Sequence, residues 1–117
     1  MSTAGAPLAQ ILRAAAPVWV QLRNGQSLER ALMPHSAARG ASPTPLASAV
    51  HDVCHDAMRH RAMIEALLAR LVQRQVPAAV AGLLAAALSQ LLDGAYPDYV
   101  VVDQAVAAAR VDPALRP

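Results

Sequence analysis

The sequence predicts an all-α bundle of about six helices, and three observations carry that expectation. Apolar residues recur at i, i+3, i+4 and i+7 through almost all of the 117 residues. The turn-like Gly and Pro clusters are too few to serve the many strands of a sandwich. The apolar content, 56% of the chain, comes mostly from 28 alanines, 15 leucines and 12 valines, and phenylalanine is absent. A core without Phe closes by bringing backbones near each other, which helices with Ala at their contacts do readily.

The first helix gathers Leu8, Ile11, Leu12, Ala15, Val18, Trp19 and Leu22 into one stripe. Pro17 lies inside that pattern and is expected to kink or split it, because proline removes a helical N–H and crowds the preceding turn. Asn24-Gly25 ends it, since glycine takes the left-handed C-cap conformation. Ser27 is placed to cap a short helix from Leu28 to Met33. Residues 34–45 (PHSAARGASPTP) read as a loop.

Thr44-Pro45 then offers a hydroxyl cap and a proline at a first helical position. Leu46, Val50, Val53, Cys54 and Ala57 form the stripe of the helix that follows. A turn near Arg59-His60-Arg61 leads into a helix whose face is Ile64, Leu67, Leu68, Leu71 and Val72. Arg70 and Arg74 are expected in its last turn, where positive charge meets the negative end of the helix dipole. Pro77 opens the next helix, and Val80, Leu83, Leu84, Ala87, Leu88, Leu91 and Leu92 make it the most buried element. Residues 93–97 break the chain, Asp98 is expected to cap, and a last helix runs from about Tyr99 to Arg110. The tail, residues 111–117, is expected to fray. One domain spans residues 1–117.

Composition excludes several classes. Hydrophobicity at this level, with 15% charged residues, rules out a wholly disordered chain. The longest uncharged helical stretch, Val76 to Leu92, falls short of the roughly 20 apolar residues a membrane span needs. Gln10 and Arg13 interrupt any signal-peptide core. A lone Cys54 leaves no internal disulfide, and a reducing, cytoplasmic setting follows. No membrane association is expected.

The most enzyme-like string is His51-Asp52-Val53-Cys54-His55. Two histidines at i and i+4 share a helix face and resemble half of a zinc peptidase motif. Asp52 is one methylene short of the glutamate base, and no third ligand follows convincingly, so no metal and no cofactor are expected. Cys54 sits on an apolar stripe and reads as a small buried hydrophobe rather than a nucleophile. No phosphate-cradling glycine loop exists, and no catalytic residues are assigned. Ten arginines and no lysine against eight acids leave a net charge of +2, which by itself does not make a nucleic-acid binder.

The order of motifs adds to this. Gly25-Gln26-Ser27-Leu28 with Ala31-Leu32, Met58-Arg59, Leu67-Leu68, Gln90-Leu91-Leu92, Tyr96-Pro97-Asp98 and Val102 with Ala105-Val106 occur in one order and spacing. Across residues 8–110 they resemble the NusB-like helical domain, most closely the version at the N-terminus of bacterial small-subunit (16S) rRNA cytosine-C5 methyltransferases. Some positions depart from that pattern. His55-Asp56 stands where an aromatic and a glycine are usual, Ser89 where an aromatic is, and Ala95 where a basic residue is. Met1 to Leu12 holds no basic residue, unlike the Arg-rich start of free-standing NusB antitermination factors.

The resemblance implies an RNA-binding domain that positions an rRNA methyltransferase and carries no catalysis itself. With the chain stopping at Pro117, it reads as an excised N-terminal module or a free-standing relative of such an enzyme. Arg59 and Arg61 are the first phosphate contacts it implies, with Arg70, Arg74, Arg13 and Arg23 in support. Trp19, Tyr96 and Tyr99 are the only aromatics available for stacking on RNA, and Trp19 belongs to the core stripe. Two other roles fit the same bundle. One is a protein-interaction module, docking on a methyltransferase catalytic domain or forming a homodimer; the other is a free-standing transcription antitermination factor.

Overall fold

The computed structural model describes residues 5–116, so the first four residues and Pro117 of the expected domain lie outside the described part. Six α-helices form there and no strand does: α1 (Leu8–Arg23), α2 (Leu28–Ala31), α3 (Pro45–Arg59), α4 (Arg61–Leu71), α5 (Ala78–Asp93) and α6 (Asp98–Val111). Two 3₁₀ turns, Met33–His35 and Pro113–Leu115, complete the set. The all-helical class is as the apolar spacing predicts.

Local signals account for most of the boundaries. α1 is one unbroken helix, with Pro17 inside it and facing solvent. Its lost hydrogen bond would have gone to the carbonyl of the exposed Arg13, on the side where water is available, so the helix is not split. Gly25, at φ +95°, ends α1, and the Gln26 N–H closes onto the Gln21 carbonyl at 3.0 Å. Ser27 Oγ accepts from the Arg30 N–H at 3.2 Å, and Thr44 Oγ1 accepts from the Ala47 N–H at 3.1 Å.

Four boundaries differ from expectation. α2 is a single turn, and the chain tightens into the Met33–His35 turn, so the loop starts after His35. α4 stops at Leu71 because Val72 takes extended backbone, which puts Arg74 in the connection rather than in the helix's last turn. Asp98 is inside α6 and caps nothing; Pro97 holds the cap position, and Asp98 instead sets a carboxylate at the positive end of the dipole. Up to Arg116 the tail, expected to fray, packs on the bundle. Leu115 is buried in the main core, Asp112 Oδ1 accepts from the Ala114 N–H at 3.0 Å, and Arg116 Nε donates to the Ala109 carbonyl at 3.0 Å.

The core is built around α1, which packs against α3, α5 and α6. Leu12 and Val18 of α1, Val50 of α3 and Val101 of α6 are almost fully enclosed. Burying side chains of this kind contributes about 1.5–3 kcal/mol each. The Ala9 N–H, one of the free donors at the start of α1, is taken by Gln104 Oε1 of α6 at 3.1 Å.

α5 buries a face rotated from the stripe its leucines suggest. Val80, Leu83 and Ala87 of that stripe are enclosed, and so are Gly82, Ala85, Ala86, Ser89 and Gln90, while Leu84, Leu88 and Leu91 are half-buried and Leu92 is exposed. The cause is the closeness of α1. A Cβ added at Gly82 would lie 3.0 Å from the Ala16 carbonyl carbon and closer still to its oxygen. Only small residues admit that approach. The Ser89 hydroxyl is satisfied within the helix, donating to the Ala86 carbonyl at 2.7 Å.

α4 uses only the start of its expected face. Ile64 is fully enclosed with Trp19, Ala57 and Ala85, Leu67 and Leu68 are half-buried, and Leu71 is exposed. This helix sits at the edge of the bundle, packed on α5 and on the end of α3.

Candidate nucleic-acid interface

Two helix ends meet around one carboxylate. Arg23, the last residue of α1, and Arg61, the first of α4, both reach Glu65 Oε1, at 3.8 Å and 3.6 Å through their Nε atoms. Arg59, two residues earlier at the end of α3, holds Asp56 one turn back. The α3–α4 corner at His60 and the end of α1 therefore set three guanidiniums beside two carboxylates. All three arginine side chains are substantially exposed, so each pair contributes about 0–1 kcal/mol and opens readily. A phosphate, which accepts a planar bidentate fork well, can take a guanidinium from such a pair.

The other three arginines expected at the interface lie apart. Arg13 is about 15 Å further back along α1 and is held by Asp112 at 3.4 Å. Arg70 sits about 13 Å from Arg61 along α4 and about half a turn around it. Arg74 follows in the connection. Arg70 and Arg74 are exposed and form no ion pair among the described residues. Arg30 and Arg39 share that condition, and neither is among the six arginines expected at the interface.

The aromatics divide as their spacing suggests. Trp19 is buried, its Nε1 without a partner among the described residues, whereas Tyr99 is 76% exposed and Tyr96 lies at the surface of the α5–α6 turn.

The residues weighed for metal or nucleophilic chemistry are placed as follows. His51 and His55 face each other one turn apart on α3, ring centroids 6.3 Å apart, and no group of three or more His, Cys, Asp or Glu assembles among the described residues. Cys54 is buried, and that burial pushes its thiol up to about 12, so it is a neutral apolar side chain at ordinary pH. Burial, and then the neighbouring His51, hold the His35 imidazole below its ordinary 6.5. The unfolded chain therefore binds a proton that the fold resists. Its stabilising contribution is complete above pH 6.5 and declines as pH falls below that value. Thermal melts between pH 7.5 and pH 5 should show Tm falling, with a shallower fall in His35→Gln; equal slopes would remove His35 from the effect.

What the fold and this surface define is a small all-helical domain that presents arginines in loosely held, exposed pairs. Residues 6–114 match the NusB family, and the chain belongs to that family. The membership points to a domain of the RNA-binding, antitermination type, with RNA and protein partners. No curated protein and no solved structure matches the chain. No helix among the described residues is long and apolar enough to cross a membrane.

Proposed function

We propose that the chain is a cytoplasmic RNA-binding module that positions a small-subunit (16S) rRNA cytosine-C5 methyltransferase on its substrate, without catalysis of its own. The observation that carries this reading is the meeting of Arg23 and Arg61 on Glu65 beside Arg59. Sequence-distant cations are thereby held at one corner of an NusB-family bundle. Arg59 and Arg61 are the leading phosphate contacts, Arg23 adds to them, and Arg70, Arg74 and Arg13 extend the footprint. Tyr99 offers an exposed ring for a base.

Binding to a small-subunit rRNA fragment, measured over a salt series, tests this. Affinity should fall with salt, and Arg59→Ala/Arg61→Ala should make the log–log slope shallower by about 1.4, the value for two phosphate contacts to a single strand. Binding that is independent of salt, or unchanged in the double variant, overturns the reading.

A second reading has its own support. Tyr99, Val102 and Val106, at i, i+3 and i+7 on α6, are exposed, as are Met63 and Leu71 on α4. Apolar side chains repeating along one helix suit a protein partner, whether a catalytic domain or a second copy of the chain. Light scattering that finds a dimer, together with no RNA shift, favours this module, and a monomer that shifts RNA favours the first reading. Activity as a free-standing antitermination factor would instead appear as RNA binding with no methyltransferase partner.

A further inference from the structure

A groove of about 620 Å³ opens between α3 and the turn that joins α5 to α6. Its lining carries three acids, Asp52 and Asp56 from α3 and Asp93 from the end of α5, together with His55, Arg59 and Tyr96. Arg59 is occupied by Asp56, so Asp52 and Asp93 have no cationic partner among the described residues. The acids alone would be a solvated patch.

Gln90 makes the groove more than that. It also lines the groove and is only 4% exposed. Its amide nitrogen makes one long contact, 3.4 Å to Ser89 Oγ, and its carbonyl oxygen accepts no hydrogen bond among the described residues. That oxygen is not sealed in, since among the described residues Trp19 Nε1 alone is both enclosed and unpartnered. A largely enclosed amide thus lines the groove with an oxygen that accepts from no protein group among the described residues.

The chemistry of the lining selects the ligand. Two free carboxylates and the Gln90 oxygen are acceptors, and the Tyr96 ring supplies a negative π-face. A matching group carries positive charge, donates in several directions within one plane, and lies flat on a ring. A guanidinium does all three, whereas an ammonium lacks the plane and a phosphate is repelled by the carboxylates. We propose that this groove binds an arginine side chain from a basic segment of a protein partner. The groove shares Arg59 with the proposed phosphate contacts but neither Arg23 nor Arg61, so Gln90 and Asp93 report on it alone and its failure would leave the RNA reading standing.

Nuclear magnetic resonance titration of the labelled chain tests this, using an acetylated Gly-Arg-Gly peptide, its lysine counterpart, free arginine and a single-stranded RNA oligonucleotide. The arginine peptide should move the Gln90 side-chain amide and the backbone amides of residues 52–56 and 93–96. It should bind roughly tenfold more tightly than the lysine peptide, and Asp52→Asn/Asp93→Asn should lose roughly tenfold. Both aspartates are exposed, so the double variant keeps its fold, which circular dichroism checks. Gln90→Met, which keeps the volume and removes the acceptor, should also weaken the peptide. A silent Gln90 amide, or equal affinity in the double variant, overturns the proposal. So does free arginine binding as tightly as the peptide, or RNA moving the Gln90 side-chain and Asp93 backbone resonances more tightly than the peptide.

Discussion

Gly82→Ala should destabilise the bundle by about 2 kcal/mol, although the same change in a solvent-facing helix would stabilise it. Alanine gains about 1 kcal/mol over glycine in a helix interior. Here the new methyl would meet the backbone of Ala16, which has no rotamer with which to retreat. Overpacking of this kind costs about 1–3 kcal/mol when side chains can yield, and a main-chain carbonyl yields less. Tm should therefore fall by roughly 10 °C for a domain of this size. A melt at or above the wild-type temperature would mean that α1 and α5 part without loss, and that their close approach is not what holds the core.

Leu115→Ala should cost about 2–4 kcal/mol, the usual range for emptying an enclosed leucine site. The side chain is 4% exposed and belongs to the main core, where its turn packs on α5 and α6. A tail that frayed would make the same substitution neutral, so the two pictures differ by a measurable share of a small domain's margin. Urea titration reads the difference as a lower midpoint at unchanged slope. A shallower slope as well would show the tail detaching from the fold before the bundle opens.

These two positions show where the sequence is silent. The apolar spacing makes α1, α3 and α5 legible, because a helix that buries one stripe must repeat it. Ser27, Gly25 and Thr44 mark ends because a cap is a local bond between near neighbours. Gly82 is different: its meaning lies in Ala16, on another helix, and a lone helical glycine says nothing about what approaches it. Leu115 sits among prolines and polar residues that resemble a frayed end, and only the core it enters explains it.

The candidate interface divides in the same way. Arg59 and Arg61 are readable at a chain reversal, and the ordered motifs around them name the family. The meeting of Arg23 with Arg61 is a long-range fact, set by the packing of α1 and the start of α4, with Glu65 between. Gln90 is legible only as part of the Gln90-Leu91-Leu92 motif. Its place in the lining of a groove depends on α3, which is distant in the sequence.

The central position of α1 has a consequence for the order in which the chain becomes a protein. Of these six helices, α1 leaves the ribosome first and is the one that α3, α5 and α6 cover, and its partners α5 and α6 are the last of the six to be made. At usual rates of synthesis, the stretch from Asn24 to Val111 takes roughly 4–18 s to follow it. For that interval the stripe of Leu8, Leu12, Val18 and Leu22 has nothing but the nascent chain and its chaperones to lie against. An arrest between α4 and α5 would leave an uncovered apolar helix rather than a smaller domain.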